Sequence, residues 1–347
     1  MRSLKIIHIS DLHIGSKFRA YKPSIISGFS EGAEESMEAL ANAAGRADAT
    51  SEANRDSQYC IVSGDLTAFG HQQDFSNALA YIKQSIVIQT KNIGLKYEPN
   101  TWVGVYGNHD IWGGRTSLVA WYPAQHKKLI AKQETGWHEP VRRGEFKFGQ
   151  DFREFIDADC IRIRFYLVDS TLPGWRNVFA RGRVSSKALE ELQTIVEHDQ
   201  TEDKKCDEVN YVLRIAVLHH PVSFRWSGAI LESMVLENGP KVLEELDNAG
   251  FGLVLCGHEH SFAYDGLMND MYELTAGTAL QLLRGGGKNS FAFIELDDPN
   301  TMLNREKNTC KLTFRKMVRE YGKNSNTNNK FYEDETWTDP IRVVSVR

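Results

Sequence analysis

Short apolar runs recur along the chain, each closed by turn residues, and between many of them the apolar positions change to helical spacing. Runs at residues 4–10, 59–63, 101–106, 161–168, 212–218, 252–256, 271–276, 290–296 and 310–316 predict buried strands. Helical patterns fill 33–47, 72–87, 185–197 and 241–248, the last ending at Gly250, a residue suited to a helix C-cap. Alternating strand and helix predicts an α/β layered fold, and the last strands, with little helix between them, read as a meander.

Three stretches carry no clear period: 14–32, 110–159 and 319–339. The last is expected to be irregular ahead of a final strand at 341–346. The expected division is a main unit over 1–300, with an insertion near 110–159, and a C-terminal strand-rich extension over 301–347 packed on the same unit. A chain of 347 residues, 41% hydrophobic and 25% charged, can bury a core large enough to need no covalent staple. The five cysteines, Cys60, Cys160, Cys206, Cys256 and Cys310, are scattered and show no CxxC spacing. That excludes a disulfide framework and a thiolate zinc site. The N-terminal MRSLKIIHISDLH has no sustained apolar stretch, and no uncharged run approaches the ~20 residues of a membrane span. Together these read as a cytoplasmic protein with no membrane partner. The net charge of −5 shows no basic surplus for nonspecific nucleic-acid binding.

Chemistry enters where the strands end. Asp11-Leu12-His13 follows the first run, Gly64-Asp65 the second and Gly107-Asn108-His109-Asp110 the third. His219-His220-Pro221 follows the run at 212–218, and Gly257-His258-Glu259-His260 the run at 252–256. In an open α/β sheet, strand ends on one side form a common crevice. Asp-x-His and His-x-His would place both side chains on one side of an extended strand end, and the glycines at 64, 107 and 257 permit the tight turn. Carboxylate, carboxamide and imidazole donors without thiolate suit two ions of Mn, Fe or Zn, and Mg less well.

Each piece also has a plain reading. Asp11 and Asp65 are residues that commonly cap helices, Asn108 tolerates a turn, and His219 suits a core position. Taken jointly, those readings require six of the eleven histidines to fall in these turns by accident.

The ordered set Asp-x-His, Gly-Asp, Gly-Asn-His-Asp, His-His-Pro and Gly-His-x-His resembles the calcineurin-like metallophosphoesterase superfamily, from about residue 4 to about 297. Ser10-Asp11-Leu12-His13 and Ser63-Gly64-Asp65-Leu66-Thr67 are similar to its cyclic-nucleotide phosphodiesterase and DNA-repair exonuclease branches. Residues 182–196 and Gly277-Thr278 resemble further stations of the pattern. The resemblance implies a four-layer α/β/β/α sandwich with the metal site at strand C-terminal ends. It implies one metal on Asp11, His13 and His260, the other on Asn108, His219 and His258, and Asp65 bridging them. His109 would face the substrate without binding metal and protonate or stabilise the leaving oxygen, with Asp110 as a candidate to orient it. His220 is left outside the ligand set.

The implied activity is hydrolysis of a phosphodiester, with a nucleotide among the candidate substrates. A phosphomonoesterase, a nuclease on polymeric nucleic acid, and a non-catalytic module on the same fold are the alternatives. The aromatics and arginines at Trp112, Trp175, Arg176, Phe224, Arg225 and Trp226 could stack a base, although loop packing is the commoner use of such rings. Arg181, Arg183 and Arg284 could pair phosphate, with solvated surface as the commoner state. Gly285-Gly286-Gly287-Lys288 lacks Walker spacing and reads as a hairpin turn.

Overall fold

The first strand shows how the layers arise. Leu4 and Ile6 face one side of β1 (Leu4–Ile9) and Ile7 and Ile9 the other, and all four are buried. A strand apolar on both faces must lie between two layers. The computed structural model describes residues 4–15, 33–45, 57–68, 72–83, 86–88, 91–97, 101–112, 152–157, 161–171, 181–206, 209–223, 236–280, 288–296, 303–320 and 330–346.

In one sheet β1 is flanked by β2 (Ser57–Val62) and then β5 (Trp102–Gly104), both parallel. On its other side lie β12 (Lys288–Leu296) and β14 (Thr309–Glu320), antiparallel, with β13 (Leu303–Asn304) and β15 (Tyr332–Arg342) paired to β14. The second sheet runs β10 (Ala263–Gly266), β11 (Tyr272–Thr275), β9 (Leu253–Cys256), β8 (Tyr211–Val217), β7 (Ile161–Leu167) and β6 (Phe152–Asp157), with β16 (Val344–Ser345) paired to β8. Its four central strands are parallel and its two outer strands antiparallel. A small hairpin joins β3 (Ile86–Ile88) to β4 (Lys91–Ile93).

Three apolar layers hold the sheets and helices together. Leu4, Ile6, Ile163, Phe165, Ile215, Leu255 and Ile294 lie between the sheets. Helices α1 (Ala33–Ala44) and α2 (Gln72–Lys83) bury Leu40 and Ile82 on the outer face of the first sheet, against Ile7, Ile9 and Val62. A five-residue helix, α3 (Asn108–Trp112), follows β5. Helices α4 (Ser186–Lys204) and α5 (Gly239–Asn248) cover the second sheet through Leu192, Val196, Val242 and Leu246. The fold is an α/β/β/α sandwich of two mixed sheets. Among the described residues no helix is long and apolar enough to cross a membrane. Four cysteines fall in the described residues, and all four are free.

Several boundaries differ from the sequence reading. Helix α2 stops at Lys83 and not at residue 87, because Ile86-Val87-Ile88 is β-branched and pairs as a strand. Helix α4 runs seven residues past its expected end. Its buried stripe continues from Leu192 and Val196 into Asp199 and Asp203, so carboxylates replace apolar residues at the same helical spacing. These meet the outer face of β7, where Arg164 pairs Asp199 at 2.9 Å and Asp203 at 2.8 Å, Arg162 pairs Asp203, and Tyr166 donates to Asp199 at 2.9 Å. The segment 319–339, expected to be irregular, holds the end of β14 and most of β15. Strand β15 is largely exposed on both faces, so it has no apolar alternation to read. It is held by backbone pairing and by cross-strand charges such as Lys316 with Asp334 at 2.8 Å. Its Pro340 fits the outer strand of a sheet. Strand β6 likewise lies inside the stretch that showed no period.

The buried Arg–Asp cluster sets a stability expectation. Asp203→Ala would leave Arg162 and Arg164 buried without their shared partner, and is expected to lower unfolding free energy by about 3–5 kcal/mol. Urea denaturation followed by circular dichroism would measure it, and a loss below about 1 kcal/mol would show the cluster to be energetically idle.

Candidate metal centre

All five clusters leave C-terminal ends of parallel strands, but from two sheets. Asp11 and His13 follow β1, Asp65 follows β2 and Asn108 follows β5 in the first sheet. His219 follows β8, and His258 and His260 follow β9, in the second. The backbone closes the gap between them. The chain after β11 bonds Cys256 O through Ala276 N at 2.9 Å and Ser10 O through Ala279 N at 3.1 Å, so one short segment touches both sheets.

Two buried carboxylates organise the centre. Asp11 gives Oδ2 to the amide of His258 at 3.0 Å, and Asp65 gives Oδ1 to the amide of His109 at 2.8 Å. The other oxygens, Asp11 Oδ1 and Asp65 Oδ2, are buried and accept no hydrogen bond. Imidazole nitrogens surround them instead. His260 Nε2 lies 3.2 Å and His13 Nε2 3.5 Å from Asp11 Oδ1, and the two Nε2 atoms lie 3.2 Å apart. On the other side His219 Nε2 stands 2.9 Å from Asn108 Oδ1, 3.2 Å from His258 Nδ1 and 3.4 Å from Asp65 Oδ2. Asp65 Oδ2 is also 3.9 Å from His13 Nε2, so it lies between the two groups.

These spacings suit cations. Ligand atoms ~2.0–2.2 Å from one ion stand roughly 3–3.5 Å from each other, and orphaned buried oxygens call for a positive partner. Tautomers agree. His219 donates Nδ1–H to Ser63 O at 2.8 Å, which leaves the Nε2 lone pair facing the oxygens of Asn108 and Asp65. Burial opposes charge on that ring, yet the Asp65 carboxylate overrides it and raises the His219 pKa to about 9. The field that draws a proton there would draw a metal ion. Burial would raise the pKa of Asp11, but His260 and His13 hold it well below the usual carboxylate range. The same opposition, with His219 as the main counter-charge, keeps Asp65 low. Burial lowers His258 to about 3 and His109 to about 4, so both rings are neutral and present lone pairs.

Backbone strain accompanies this convergence. Asp11, His13, Asp65, His258 and His260 all have left-handed backbones, with φ of 54°, 46°, 51°, 72° and 55°. The Asp-x-His and His-x-His pairs therefore meet through left-handed turns and not along an extended strand, as the alternation argument expected. Each such residue costs roughly 1–3 kcal/mol and persists only where its surroundings over-determine it. The glycines act in two ways. Gly64 has φ +97°, whereas Gly107 serves by size: a Cβ there would collide with Asp65 Oδ1.

His109 and Asp110 part company. The His109 ring donates Nδ1–H to Ala68 O at 3.1 Å and brings Nε2 to 4.0 Å from Asp65 Oδ2. Asp110 turns the other way and accepts from the amides of Leu66 (3.1 Å), Thr67 (2.8 Å) and Gly107 (3.0 Å) and from Thr67 Oγ1 (2.9 Å). It ties two ligand-bearing turns together and does not orient His109. Burial raises its pKa to about 7, with the Asp65 charge adding to the effect. The side chains of His260 and His109 are 25% and 12% exposed while the other candidate ligands are buried, so the centre opens on their side.

Four further residues support the centre, and of these Ser170 alone carried no signal in the sequence. Ser170 Oγ accepts from the amides of His219 (3.3 Å) and His220 (3.2 Å) and directs its own proton to His220 Nδ1 at 2.9 Å. His220 lies tilted against His258, with ring centroids 4.4 Å apart and planes at 50°, and joins His219 and His258 in a group of potential donors. Thr278 Oγ1 donates to Asp11 O at 3.0 Å, and a Cβ on Gly182 would strike the His220 ring. Arg183 faces Glu237 at 3.7 Å. The side chain of Trp112, and Trp175, Arg176, Phe224, Arg225, Trp226, Arg284 and residues 285–287, lie outside the described residues.

A four-layer sandwich with carboxylates and imidazoles gathered at its strand ends has the layout of a metallophosphoesterase. The sequence profile of the calcineurin-like phosphoesterases matches residues 4–262, and the chain belongs to that family. No curated protein matches it by sequence. Among solved structures it is similar to a dimetal phosphatase from Danio rerio, at 12% identity over 96% of this chain and 98% of that one, with a TM-score of 0.48. It is also similar to GAP50 of Plasmodium, at 14% identity over 99% and 90%, TM-score 0.46. A third is a 5'-nucleotidase from Candida albicans, at 13% identity over 93% and 52%, TM-score 0.43.

The Asp110 geometry yields a test of its role. Asp110→Ala strands four donors, each worth roughly 1–3 kcal/mol when buried and unpaired, and is expected to destabilise the protein by more than 3 kcal/mol on that scale. Thermal and urea unfolding of the metal-free protein would read it, and an unchanged midpoint would refute the brace.

Proposed function

We propose that this protein is a dinuclear-metal phosphoesterase that hydrolyses a phosphodiester, with a nucleotide among the candidate substrates. One observation carries the reading. Two buried carboxylates each satisfy one oxygen with a backbone amide and turn the other, unpaired, toward imidazole nitrogens at ligand spacing. Asp11, His13 and His260 would hold one cation, Asn108, His219 and His258 would hold the other, and Asp65 would serve both. The oxygen and imidazole donor set favours Mn, Fe or Zn. Two such cations, when bound, supply Lewis-acid neutralisation of phosphoryl oxygens and activation of water.

The chain's own residues do the rest. His109 donates Nδ1–H to Ala68 O, so its ring is oriented and Nε2 is left toward the centre, 4.0 Å from Asp65 Oδ2. Burial keeps the ring neutral in the free protein. An arriving phosphate places negative charge beside it and raises its proton affinity, so His109 takes up a proton with the substrate and releases it to the leaving oxygen. The strained backbone of Asp11, His13, Asp65, His258 and His260 holds the donors in place before substrate arrives, so little reorganisation accompanies the reaction. Preference for a diester rests on the Ser10–His13 and Ser63–Thr67 wording.

Asp65→Ala is expected to abolish both metal uptake and hydrolysis, whereas His109→Ala keeps both ions and loses about 10²–10⁴-fold in turnover. Elemental analysis of the purified variants with Mn²⁺-supported kinetics would check this, and normal activity in Asp65→Ala would sink the reading. Bis-p-nitrophenyl phosphate is expected to be hydrolysed faster than p-nitrophenyl phosphate, and activity confined to the monoester would count against the diester.

A further inference from the structure

A buried carboxylate on the second sheet takes no part in the chemistry above. Glu273 lies in β11, fully buried. Its neighbour Leu274 faces the layer between the sheets, so Glu273 faces the helix side, as does Cys256, the last residue of β9. Glu273 Oε2 accepts from the amides of Val222 at 2.6 Å and Ser223 at 3.1 Å, and Oε1 accepts from Ser223 Oγ. Val222 and Ser223 directly follow His219-His220-Pro221. Oε2 also receives the thiol of Cys256 at 3.8 Å, immediately before Gly257-His258. One carboxylate thus holds the turn that carries His219 and touches the strand end that leads into His258, and the amide of Gly257 bonds His219 O at 3.0 Å between them. Successive amides aimed at one oxygen make a small anion-binding concavity. A buried charge is an expensive way to fill space, since an apolar side chain of like volume serves stability as well.

We infer that Glu273 is a positioning residue for the second cation. It sets the separation of His219 Nε2 and His258 Nδ1, 3.2 Å here, by bonding the backbone that follows the first ring and the Cys256 side chain that precedes the second. The inference rests on the dinuclear reading and adds to it a residue that touches neither ion. It also makes the two half-sites unequal, because Asp11, His13 and His260 make no contact with the Glu273 carboxylate among the described bonds.

Calorimetric titration of the full-length, metal-stripped protein with Mn²⁺ alone tests this, with the melting temperature of each stripped variant recorded alongside. The wild type is expected to take two ions. Glu273→Ala is expected to keep the first with unchanged affinity and bind the second about 10–100-fold more weakly. Glu273→Gln retains one acceptor oxygen for the amides and is expected to recover most of that loss. A purely structural role would weaken both ions together as the melting temperature falls, and that outcome, or two ions bound as tightly as in the wild type, overturns the inference. Should Glu273→Ala fail to fold, Glu273→Met, which fills the volume without a carboxylate acceptor, decides in its place: weakening confined to the second ion supports the role, and equal or absent weakening overturns it. A wild type that takes up fewer than two ions would instead overturn the dinuclear reading itself.

Discussion

The structure turns on how Asp11 and Asp65 divide their oxygens. Each carboxylate spends one oxygen on an amide from a distant turn, His258 for Asp11 and His109 for Asp65. That bond orients the group and fixes the second oxygen, which stays buried and unsatisfied. A carboxylate in such a place is costly unless a positive charge completes it. The glycine sizes, the left-handed turns and the meeting of two sheets all serve to let those two oxygens face the same small volume.

Carboxylates recur behind the centre in a different role. Asp110 clamps the turns after β2 and β5 through three amides and a hydroxyl. Glu273 holds the turn after β8 through two amides and a hydroxyl and touches the thiol at the end of β9. Each sheet therefore has its own buried acid behind its ligand-bearing turns, while Asp11 joins one sheet to the other. The Arg162–Arg164–Asp199–Asp203 cluster beneath α4 is a third use of buried charge, remote from the centre and concerned with docking a helix.

What was legible in the sequence was what local pattern encodes. Strands apolar on both faces, such as β1 and β9, announce themselves, and residue types as distinctive as Asp-x-His or His-x-His at strand ends point to a cation site without coordinates. What stayed hidden depends on partners brought from afar. Nothing near Glu273 or Ser170 marks them, because their partners are amides from other strands. Asp110 was noticed for its neighbour His109, yet its bonds run to Leu66 and Thr67. Asp199 and Asp203 lay beyond the helix end expected at residue 197, since their burial depends on arginines 35–41 residues away in β7. Strand β15 was missed because an exposed strand lacks an apolar rhythm.

The segment after β11 that bonds both Cys256 O and Ser10 O has a consequence for biogenesis. The bond between the His258 amide and Asp11 spans 247 residues, and that from Thr278 to Asp11 spans 267. At a ribosomal pace of 5–20 residues per second, the emerging Asp11 turn waits roughly ten to fifty seconds for its counterpart. Asp11 therefore gains its His258 and Thr278 partners only after β9 and β11 have emerged, and β12, which flanks β1 in its own sheet, follows later still, so the pocket is completed late in synthesis.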